Sequence, residues 1–228
     1  MNFQPATFFR SPSVWAILPV KRLADSKRRL AGVLTPSQRT DLMWRLVRHS
    51  LATLKQCPGI DQVLVISGDE DVLTTAVRQG AITINEGGSN GLNPAVTRAV
   101  NFAAHQGATA VLILPVDLPF LRPDDVAQVL ARQGNDRTTI VIASDRRSDG
   151  TNALLLPVPT TFRFHYGPGS YHQHLQEAAR LGMIAHTAFT PGIQFDLDTK
   201  QDWQNYQMVN NEELTVGIHN VQIERYEQ

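Results

Sequence analysis

The feature of this sequence that most constrains its fold is a regular alternation of short apolar runs with longer amphipathic segments. The runs VWAILPV (14–20), DQVLVIS (61–67) and TAVLILPV (109–116) have the length and apolar continuity of buried strands. Segments with helical spacing, such as residues 35–57, separate them. This order predicts an α/β protein with a mostly parallel, Rossmann-like sheet in three α/β/α layers, with the very apolar run 109–116 at its centre.

Residues typical of helix starts mark several of the predicted helices. Thr35 and Gln38 have the spacing of a capping box, in which each side chain bonds the other residue's backbone N–H. Asn93 stands before a proline and is predicted to be the N-cap of a later helix. Ser170 follows a glycine-rich turn and is predicted to cap a helix over residues 171–181. These local signals support the helical segments between the strands.

Length and charge exclude several classes of protein. The 228 residues are 42% hydrophobic, which suits a single domain with a core over residues 14–206 and a tail over 207–228. Lys+Arg 21 balance Asp+Glu 21, so neither nucleic acid nor an anionic membrane is an expected partner. No run reaches the ~20 apolar residues of a membrane span, and no secretory signal is evident, so a soluble cytoplasmic protein is expected.

Three smaller features carry expectations of their own. Cys57 is the only cysteine, which excludes an intrachain disulfide and predicts a buried structural thiol. His172 and His174 alternate within a predicted helix, so they point to different sides and are predicted to be surface residues, not joint zinc ligands. The tail contains one alternating run, residues 214–226, which is typical of an added edge strand or of the arm of a homodimer, and both remain open.

The loop after the first strand is a candidate site, because ligands bind beyond the carboxyl ends of the strands in an open parallel sheet. This loop, within ILPVKRLADSKRRL, is strongly basic and contains neither G-x-G-x-x-G nor a P-loop, which argues against an ordinary dinucleotide site and a Walker-type ATPase. Lys21 and Lys27 are expected at the phosphates of a triphosphate. Arg22, Arg28 and Arg29 are expected to be surface charges, and a solvated basic helix start is the alternative for the whole cluster.

Three acids follow later strands and are candidates for a metal site. Asp117 ends the predicted central strand, where a carboxylate can bind a hard cation such as Mg²⁺. Asp196 and Asp198, in FDLDT, would face the same side of a strand and could share that ion. The alternatives remain that Asp117 is a helix-capping or turn residue, and that Asp196 and Asp198 only precede a helix cap made by Thr199 and Asp202.

Seven motifs in order along residues 14–203 resemble the 2-phospho-L-lactate guanylyltransferase family of coenzyme F(420) biosynthesis. The motifs are AILPVKRLADSKRRLAGVLTPSQR, VLVISGDEDVL, GLNPAV, VLILPVDLPFL, SDGTNALLL, YGPGSYHQHL and FDLDT. The resemblance implies a nucleotidyltransferase fold related to the molybdopterin guanylyltransferases. It also implies transfer of GMP from GTP to the phosphate of 2-phospho-L-lactate, phosphoenolpyruvate or 3-phospho-D-glycerate, with release of pyrophosphate.

The resemblance also implies roles for individual residues. Thr151, Gly167 and Ser170 match the acceptor-binding positions of the family. Asp117 matches its metal position, and Asp196 and Asp198 match the paired acids, of which one or both share Mg²⁺. The residues expected to contact the nucleotide are Pro19, Lys21, Lys27, Ser67, Glu86, Gly91 and Asn93.

The expected chemistry is positioning and charge neutralisation, with Lys21, Lys27 and Asp117 as its catalytic residues. A phosphate acceptor is already an anionic nucleophile near neutral pH, so no general base is required. Two alternatives stay open: a nucleotidyltransferase of the same fold with molybdopterin or a sugar phosphate as acceptor, and a nucleotide-binding protein without catalytic activity.

Overall fold

The computed structural model describes residues 13–87, 91–133 and 138–209, and seven strands within them form one sheet. The strands are β1 (Val14–Val20), β2 (Gln62–Ser67), β3 (Ile82–Asn85), β4 (Ala110–Ile113), β5 (Thr139–Ser144), β6 (Thr151–Pro157) and β7 (Ile184–Thr187). The helices are α1 (Pro36–Lys55), α2 (Glu70–Arg78), α3 (Leu92–His105), α4 (Pro123–Gln133), α5 (Ser170–Arg180), α6 (Pro191–Gln194) and α7 (200–209). The predicted α/β alternation is confirmed.

Across the sheet the strands lie in the order β3-β2-β1-β4-β6-β5-β7. β4 is in the middle, as its apolar sequence predicts. Neighbouring strands are parallel except at β6, which runs antiparallel to both β4 and β5. The loop between Ser144 and Thr151 is too short to hold a crossover helix, so the chain turns back directly. The start of β6 therefore lies at the same edge of the sheet as the ends of β4 and β5.

Alternate strand residues pack into two hydrophobic cores, one on each face of the sheet. Ala16 and Leu18 of β1 face the core that α1, α2 and α4 cover, whereas Ile17 faces the core beneath α3 and α5. This is the three-layer arrangement expected from the sequence. Thr35 and Gln38 form the predicted capping box at the start of α1.

Two of the predicted helix caps are wrong. α3 begins at Leu92, one residue before Asn93, and Gly91 precedes it with a φ of 114°, a conformation that favours glycine. α5 begins at Ser170 itself, after Gly169 in the left-handed conformation. In both places a glycine makes the turn into the helix, which leaves the polar side chain to bond a distant part of the chain.

Two further expectations concern the chain as a whole. Cys57 is buried, as predicted, and burial with the nearby Asp125 charge raises the pKa of its thiol to about 11. Among the helices of the described ranges, none has the length and apolar character needed to cross a bilayer. The alternating run at residues 214–226 lies outside the described residues.

Candidate active site

The carboxyl ends of β1, β2 and β3 border an open cleft of about 540 Å³. The residues that line it include Lys21, Arg22, Asp25, Gly68, Glu70, Glu86, Gly91 and Leu92. A second cavity of about 230 Å³ is lined by Lys27, Asp117 and Asp198 among others. The residues common to both cavities are Pro19, Lys21, Asp25 and Leu92. The two cavities therefore form one continuous cleft along this edge of the sheet.

Lys27 is a buried cation between two carboxylates. Its Nζ lies 2.7 Å from Asp117 Oδ2 and 2.9 Å from Asp198 Oδ1, and its side chain is 4% exposed. Burial alone would lower the pKa of Lys27, but the charges of Asp117 and Asp198 outweigh burial and raise the pKa above its usual value. Its backbone is left-handed, with a φ of 54°, which costs a non-glycine residue about 1 kcal/mol. The two ion pairs stabilise Lys27 in this conformation.

Irregular backbone, not a strand, brings the three acids together. Residues 195–199 form no strand, so the expectation that Asp196 and Asp198 share a strand face is wrong. The backbone N–H of Leu197 donates instead to the carbonyl of Asp117 at 3.0 Å, which holds this segment beside the end of β4. Burial, followed by the charges of Asp117 and Asp198, raises the pKa of Asp196 to about 6. The three predicted metal ligands therefore lie near enough for their charges to interact, but no group of three acidic, histidine or cysteine side chains in the described residues is arranged to hold a metal ion.

The segment after the acids also makes the helix cap that the sequence left as an alternative. Asp202 Oδ2 accepts the backbone N–H of Thr199 at 2.7 Å, and Thr199 Oγ1 accepts the N–H of Asp202 at 3.3 Å. The cap at the start of α7 fixes the backbone directly after Asp198, whose own N–H donates to Asp202 at 3.1 Å. Cap and acid pair are therefore compatible in one segment.

The three arginines of the first loop differ in their surroundings. Arg28 is exposed and pairs with Asp25, as expected of a surface charge. Arg29 is also exposed, although its Nη1 lies 3.3 Å from Asp198 Oδ2. Arg22 is exposed as well, as expected, and it lines the open cleft. Because the loop crosses the end of β1, residues 21 and 22 both border the cleft.

Of the residues expected to contact the nucleotide, Lys27 pairs with Asp117 and Asp198 and is not among the residues that line the open cleft. The others differ in position. Pro19, Glu86 and Gly91 line the open cleft. Ser67 is fully buried, and its Oγ accepts the backbone N–H of Asp69 at 3.1 Å. This hydrogen bond stabilises the loop after β2. Ser67 therefore shapes the cleft without lining it.

Asn93 bonds the acceptor turn, although it was expected at the nucleotide. Its Oδ1 accepts the backbone N–H of Tyr166 at 2.6 Å, and its Nδ2 donates to the carbonyl of Tyr166 at 3.2 Å. Tyr166 directly precedes Gly167, so this pair of hydrogen bonds ties α3, which begins at the open cleft, to the predicted acceptor-binding turn. We call this connection the Asn93–Tyr166 clasp.

Thr151 and Ser170 come together in the fold. Ser170 Oγ lies 3.2 Å from Thr151 Oγ1, both residues are buried, and the Ser170 N–H donates to the carbonyl of Gly167. His174, predicted at the surface, is fully buried beneath them, with Nδ1 3.0 Å from Thr151 Oγ1. That prediction is wrong because His174 follows Ser170 by one helical turn, on the face of α5 that packs on the sheet. The i, i+4 spacing was the available signal.

The Thr151–Ser170 pair lies near the acids. Asp145 donates its backbone N–H to the carbonyl of Gly150, the residue before Thr151. The charge of Asp145 in turn contributes to the raised pKa of Asp196. One edge of the sheet thus carries, in sequence, an open cleft with Lys21 and Arg22 on its wall, a group of carboxylates and a pair of hydroxyls.

This fold is the α/β fold of the nucleotidyltransferases. A nucleotidyl transferase from Methanothermobacter thermautotrophicus has a similar structure, with a TM-score of 0.60 at 15% identity over 90% of this chain and 99% of that one. So does a 4-diphosphocytidyl-2C-methyl-D-erythritol synthase, with a TM-score of 0.58 at 15% identity over 87% of this chain and 98% of that one. At such identities the likeness shows the fold alone.

Sequence comparison gives the family. The chain belongs to the guanylyl transferase CofC-like family, which matches residues 14–216. The phosphoenolpyruvate guanylyltransferase of Rubrobacter xylanophilus is 40% identical over 190 residues, which are 83% of this chain and 91% of that protein. The 2-phospho-L-lactate guanylyltransferase of Methanothermobacter thermautotrophicus is 33% identical over 187 residues, 82% of this chain and 81% of that protein.

Proposed function

We propose that this protein transfers GMP from GTP to the phosphate of a small three-carbon phospho-acid, with release of pyrophosphate, as a step in coenzyme F(420) biosynthesis. The observation that carries the proposal is the continuous cleft that joins Lys21 and Arg22 to the carboxylates of Asp117 and Asp198. The names of the relatives, phosphoenolpyruvate guanylyltransferase and 2-phospho-L-lactate guanylyltransferase, support the donor and the class of acceptor. The candidate acceptors are phosphoenolpyruvate, 2-phospho-L-lactate and 3-phospho-D-glycerate.

GTP would occupy the open cleft, whose volume of about 540 Å³ lies in the range of small-molecule sites. Lys21 and Arg22 would neutralise the triphosphate, since ammonium and guanidinium groups both donate charge-assisted hydrogen bonds to phosphate oxygens. Glu86 lines the same cleft. Its carboxylate can accept from both the N1–H and the amino group of guanine, two adjacent donors that adenine does not present together.

The acids are suited to Mg²⁺. Asp117, Asp196 and Asp198 offer carboxylate oxygens, the ligands that this hard cation prefers. Asp117 and Asp198 already share one cation, the Lys27 ammonium, and the raised pKa of Asp196 reflects the negative charge gathered there. The Lys27 ammonium lies between Asp117 and Asp198, and no group of three acidic, histidine or cysteine side chains in the described residues is already arranged for a metal, so these residues would hold Mg²⁺ only after rearrangement. Bound there, the ion would neutralise charge on the triphosphate and on pyrophosphate.

The transfer itself needs positioning more than proton chemistry. An oxygen of the acceptor phosphate attacks the α-phosphorus of GTP in line and forms the new P–O bond. The bond from the α-phosphorus to the bridging oxygen breaks, and its electron pair leaves with pyrophosphate. Lys27 would neutralise the carboxylates, so that Lys21 and Arg22 can bind the phosphates. Thr151, Ser170 and the backbone at Gly167 would hold the acceptor beside this point.

The experiment that tests the proposal measures pyrophosphate release from GTP with each of the three acids. We expect release with at least one acid, and a loss of at least about a hundredfold in Asp117→Ala, since that change removes a carboxylate proposed to hold the Mg²⁺ ion at the reacting phosphates. Release with a sugar phosphate or molybdopterin alone would replace the proposed acceptor. Tight GTP binding without release, with every acid, would leave only a nucleotide-binding protein.

A further inference from the structure

Beneath the Thr151–Ser170 pair lies His174, a buried group that the transfer chemistry does not use. Both of its ring nitrogens have partners. Nδ1 lies 3.0 Å from Thr151 Oγ1, and Nε2 lies 2.9 Å from the backbone nitrogen of His165. The ring of Tyr166 packs edge-on against the imidazole, with ring centroids 4.9 Å apart. The imidazole is therefore held in one orientation by contacts on several sides.

The contact with His165 determines which nitrogen of His174 carries the proton. A backbone N–H can only donate, so Nε2 of His174 must accept with its lone pair. In the neutral ring the proton is then on Nδ1, and Nδ1–H donates to Thr151 Oγ1. Burial and the neighbouring His165 lower the pKa of His174 to about 4, which keeps the ring neutral near pH 7.

This tautomer has a consequence for the hydroxyl pair. Thr151 Oγ1 accepts the Nδ1–H of His174, and it also accepts the hydroxyl proton of Ser170. The pair holds two hydroxyl protons, so the second is left to point away from both His174 and the other hydroxyl. The remaining proton is on Thr151, which is 6% exposed against 1% for Ser170, so Thr151 can offer a donor to a bound group.

We propose that His174 is a positioning residue for the acceptor: its Nδ1–H holds the Thr151–Ser170 pair with a hydroxyl proton facing outward, so that the pair selects an ionised oxygen of the acceptor. This inference rests on the proposed function, which supplies a phosphorylated acid with two such groups, a carboxylate and a phosphate. A ligand that presents an N–H or an ammonium group would be rejected, because it would face a donor.

Two substitutions separate the positioning role from a purely structural one. In His174→Asn, the side-chain NH₂ can take the place of Nδ1–H and donate to Thr151, but the His165 N–H loses its acceptor. In His174→Gln, the side-chain oxygen can take the place of Nε2 and accept from His165, but the donor to Thr151 is lost. His172→Gln is the matched control, since His172 is exposed on the same helix.

We expect His174→Gln to raise the KM of the acceptor about tenfold or more, the worth of a hydrogen bond to a charged group, with the KM of GTP unchanged. His174→Asn should keep an acceptor KM near that of the wild type while losing more thermal stability than His174→Gln. A structural role alone predicts the reverse order, with the less stable variant the poorer enzyme. Equal acceptor KM values for the two variants, or a higher one in His174→Asn, would overturn the inference.

A second measurement reads the tautomer directly and does not depend on activity. Two-bond ¹H–¹⁵N correlation spectra of the folded wild type should show His174 protonated on Nδ1, and protonation on Nε2 would overturn the inference.

Competition by pyruvate and by inorganic phosphate shows whether the pair holds the carboxylate or the phosphate, because His174→Gln should weaken only one of them. If the wild type releases no pyrophosphate with any acid, the proposed function fails. Binding of phosphoenolpyruvate then decides the inference, supported by its loss in His174→Gln and overturned by its persistence.

Discussion

At the scale of single residues, Lys27 is the counter-ion that lets two carboxylates share one narrow cavity. Asp117 and Asp198 lie within hydrogen-bond distance of the same ammonium group, and the lysine is buried more completely than either acid. Lys21, six residues earlier in the same loop, is exposed on the cleft wall. The two lysines are therefore expected to respond differently to substitution.

Replacing Lys27 by alanine should reduce both activity and stability. We expect a loss of about 1–3 kcal/mol in the free energy of unfolding, below the 3–5 kcal/mol of a fully buried pair because both carboxylates are partly exposed. The freed carboxylates should also bind cations better, so Mg²⁺ should raise the Tm of Lys27→Ala more than that of the wild type. Thermal unfolding with and without MgCl₂ measures this, with exposed Lys55→Ala as the control. Equal Mg²⁺ effects in both proteins would contradict the account.

Replacing Lys21 by alanine should reduce activity alone. Within the described part of the chain, Lys21 makes no ion pair that would stabilise the fold. The Tm of Lys21→Ala should therefore stay within about 1 °C of the wild-type value, as for most surface changes. Removal of a cation at the triphosphate should lower kcat/KM for GTP about 10- to 100-fold. Steady-state kinetics checks this, and wild-type kinetics in Lys21→Ala would show that the loop does not bind phosphate there.

His174 should make stability depend on pH. Its pKa in the folded protein is about 4, against a usual value of 6.5, so the unfolded chain takes up this proton at higher pH than the folded one does. The neutral His174 ring therefore makes its full contribution to the free energy of unfolding above pH 6.5. This contribution declines as the pH falls towards 4, by at most about 1.4 kcal/mol per pH unit. Urea unfolding at several pH values should show a shallower decline for His174→Asn than for the wild type. If the free energy of unfolding declined with pH equally in the wild type and in His174→Asn, the assignment of a neutral His174 ring in the folded protein would be contradicted.

At the scale of elements, the short helix α6 packs very closely on the start of α4. A β-carbon added at Gly192 would overlap the carboxylate of Asp125 and the carbonyl of Phe120. Asp125 also accepts the backbone N–H of Arg122 at 2.8 Å, so it is not free to move away. This contact holds the segment that carries Asp196 and Asp198 against the helix layer.

Gly192→Ala should therefore destabilise the protein by about 3 kcal/mol or more, as overpacking against backbone does. Gly32→Ala is the matched control, because a β-carbon there meets nothing within 4 Å. Chemical denaturation of the two variants measures the difference. A Gly192→Ala protein as stable as Gly32→Ala would show that α6 packs less closely than described.

The Asn93–Tyr166 clasp connects the element at the nucleotide cleft with the acceptor turn. In Asn93→Asp, one oxygen can still accept the Tyr166 N–H, whereas the other would face the Tyr166 carbonyl and repel it. We expect the KM of the acceptor to rise several-fold, with a smaller change in the KM of GTP. A rise in the KM of GTP alone would instead support the prediction from the sequence that Asn93 contacts the nucleotide.

The helices and strands could be predicted because their signals are local. The capping box of Thr35 and Gln38 is contained within four residues, and the strands stand out as apolar runs. Asn93 and Ser170 were misassigned as caps because the same residue types also bond distant backbone or side chains. A local pattern does not reveal that Tyr166 or Thr151 will be the partner.

At the scale of the whole molecule, the site is a product of sheet topology. Parallel strands bring the loops after β1 and β4 to one edge, and the reversed β6 starts there as well. The sequence could therefore predict the edge, the basic loop and the acids. It could not predict that Lys27 contacts Asp198, because that ion pair joins residues on opposite ends of the chain. Which of these residues contacts nucleotide, acceptor or metal stays a prediction.

The central claim is transfer of GMP to the acceptor phosphate by attack at the α-phosphorus of GTP. The most direct measurement uses GTP labelled with ¹⁸O in the oxygen that bridges the α- and β-phosphorus atoms, together with phosphoenolpyruvate, 2-phospho-L-lactate or 3-phospho-D-glycerate. Mass spectrometry should find all of the label in pyrophosphate and an unlabelled product whose mass is that of the acid plus GMP minus water. Label retained in the nucleotide product, or hydrolysis of GTP without any guanylylated acid, would contradict the account.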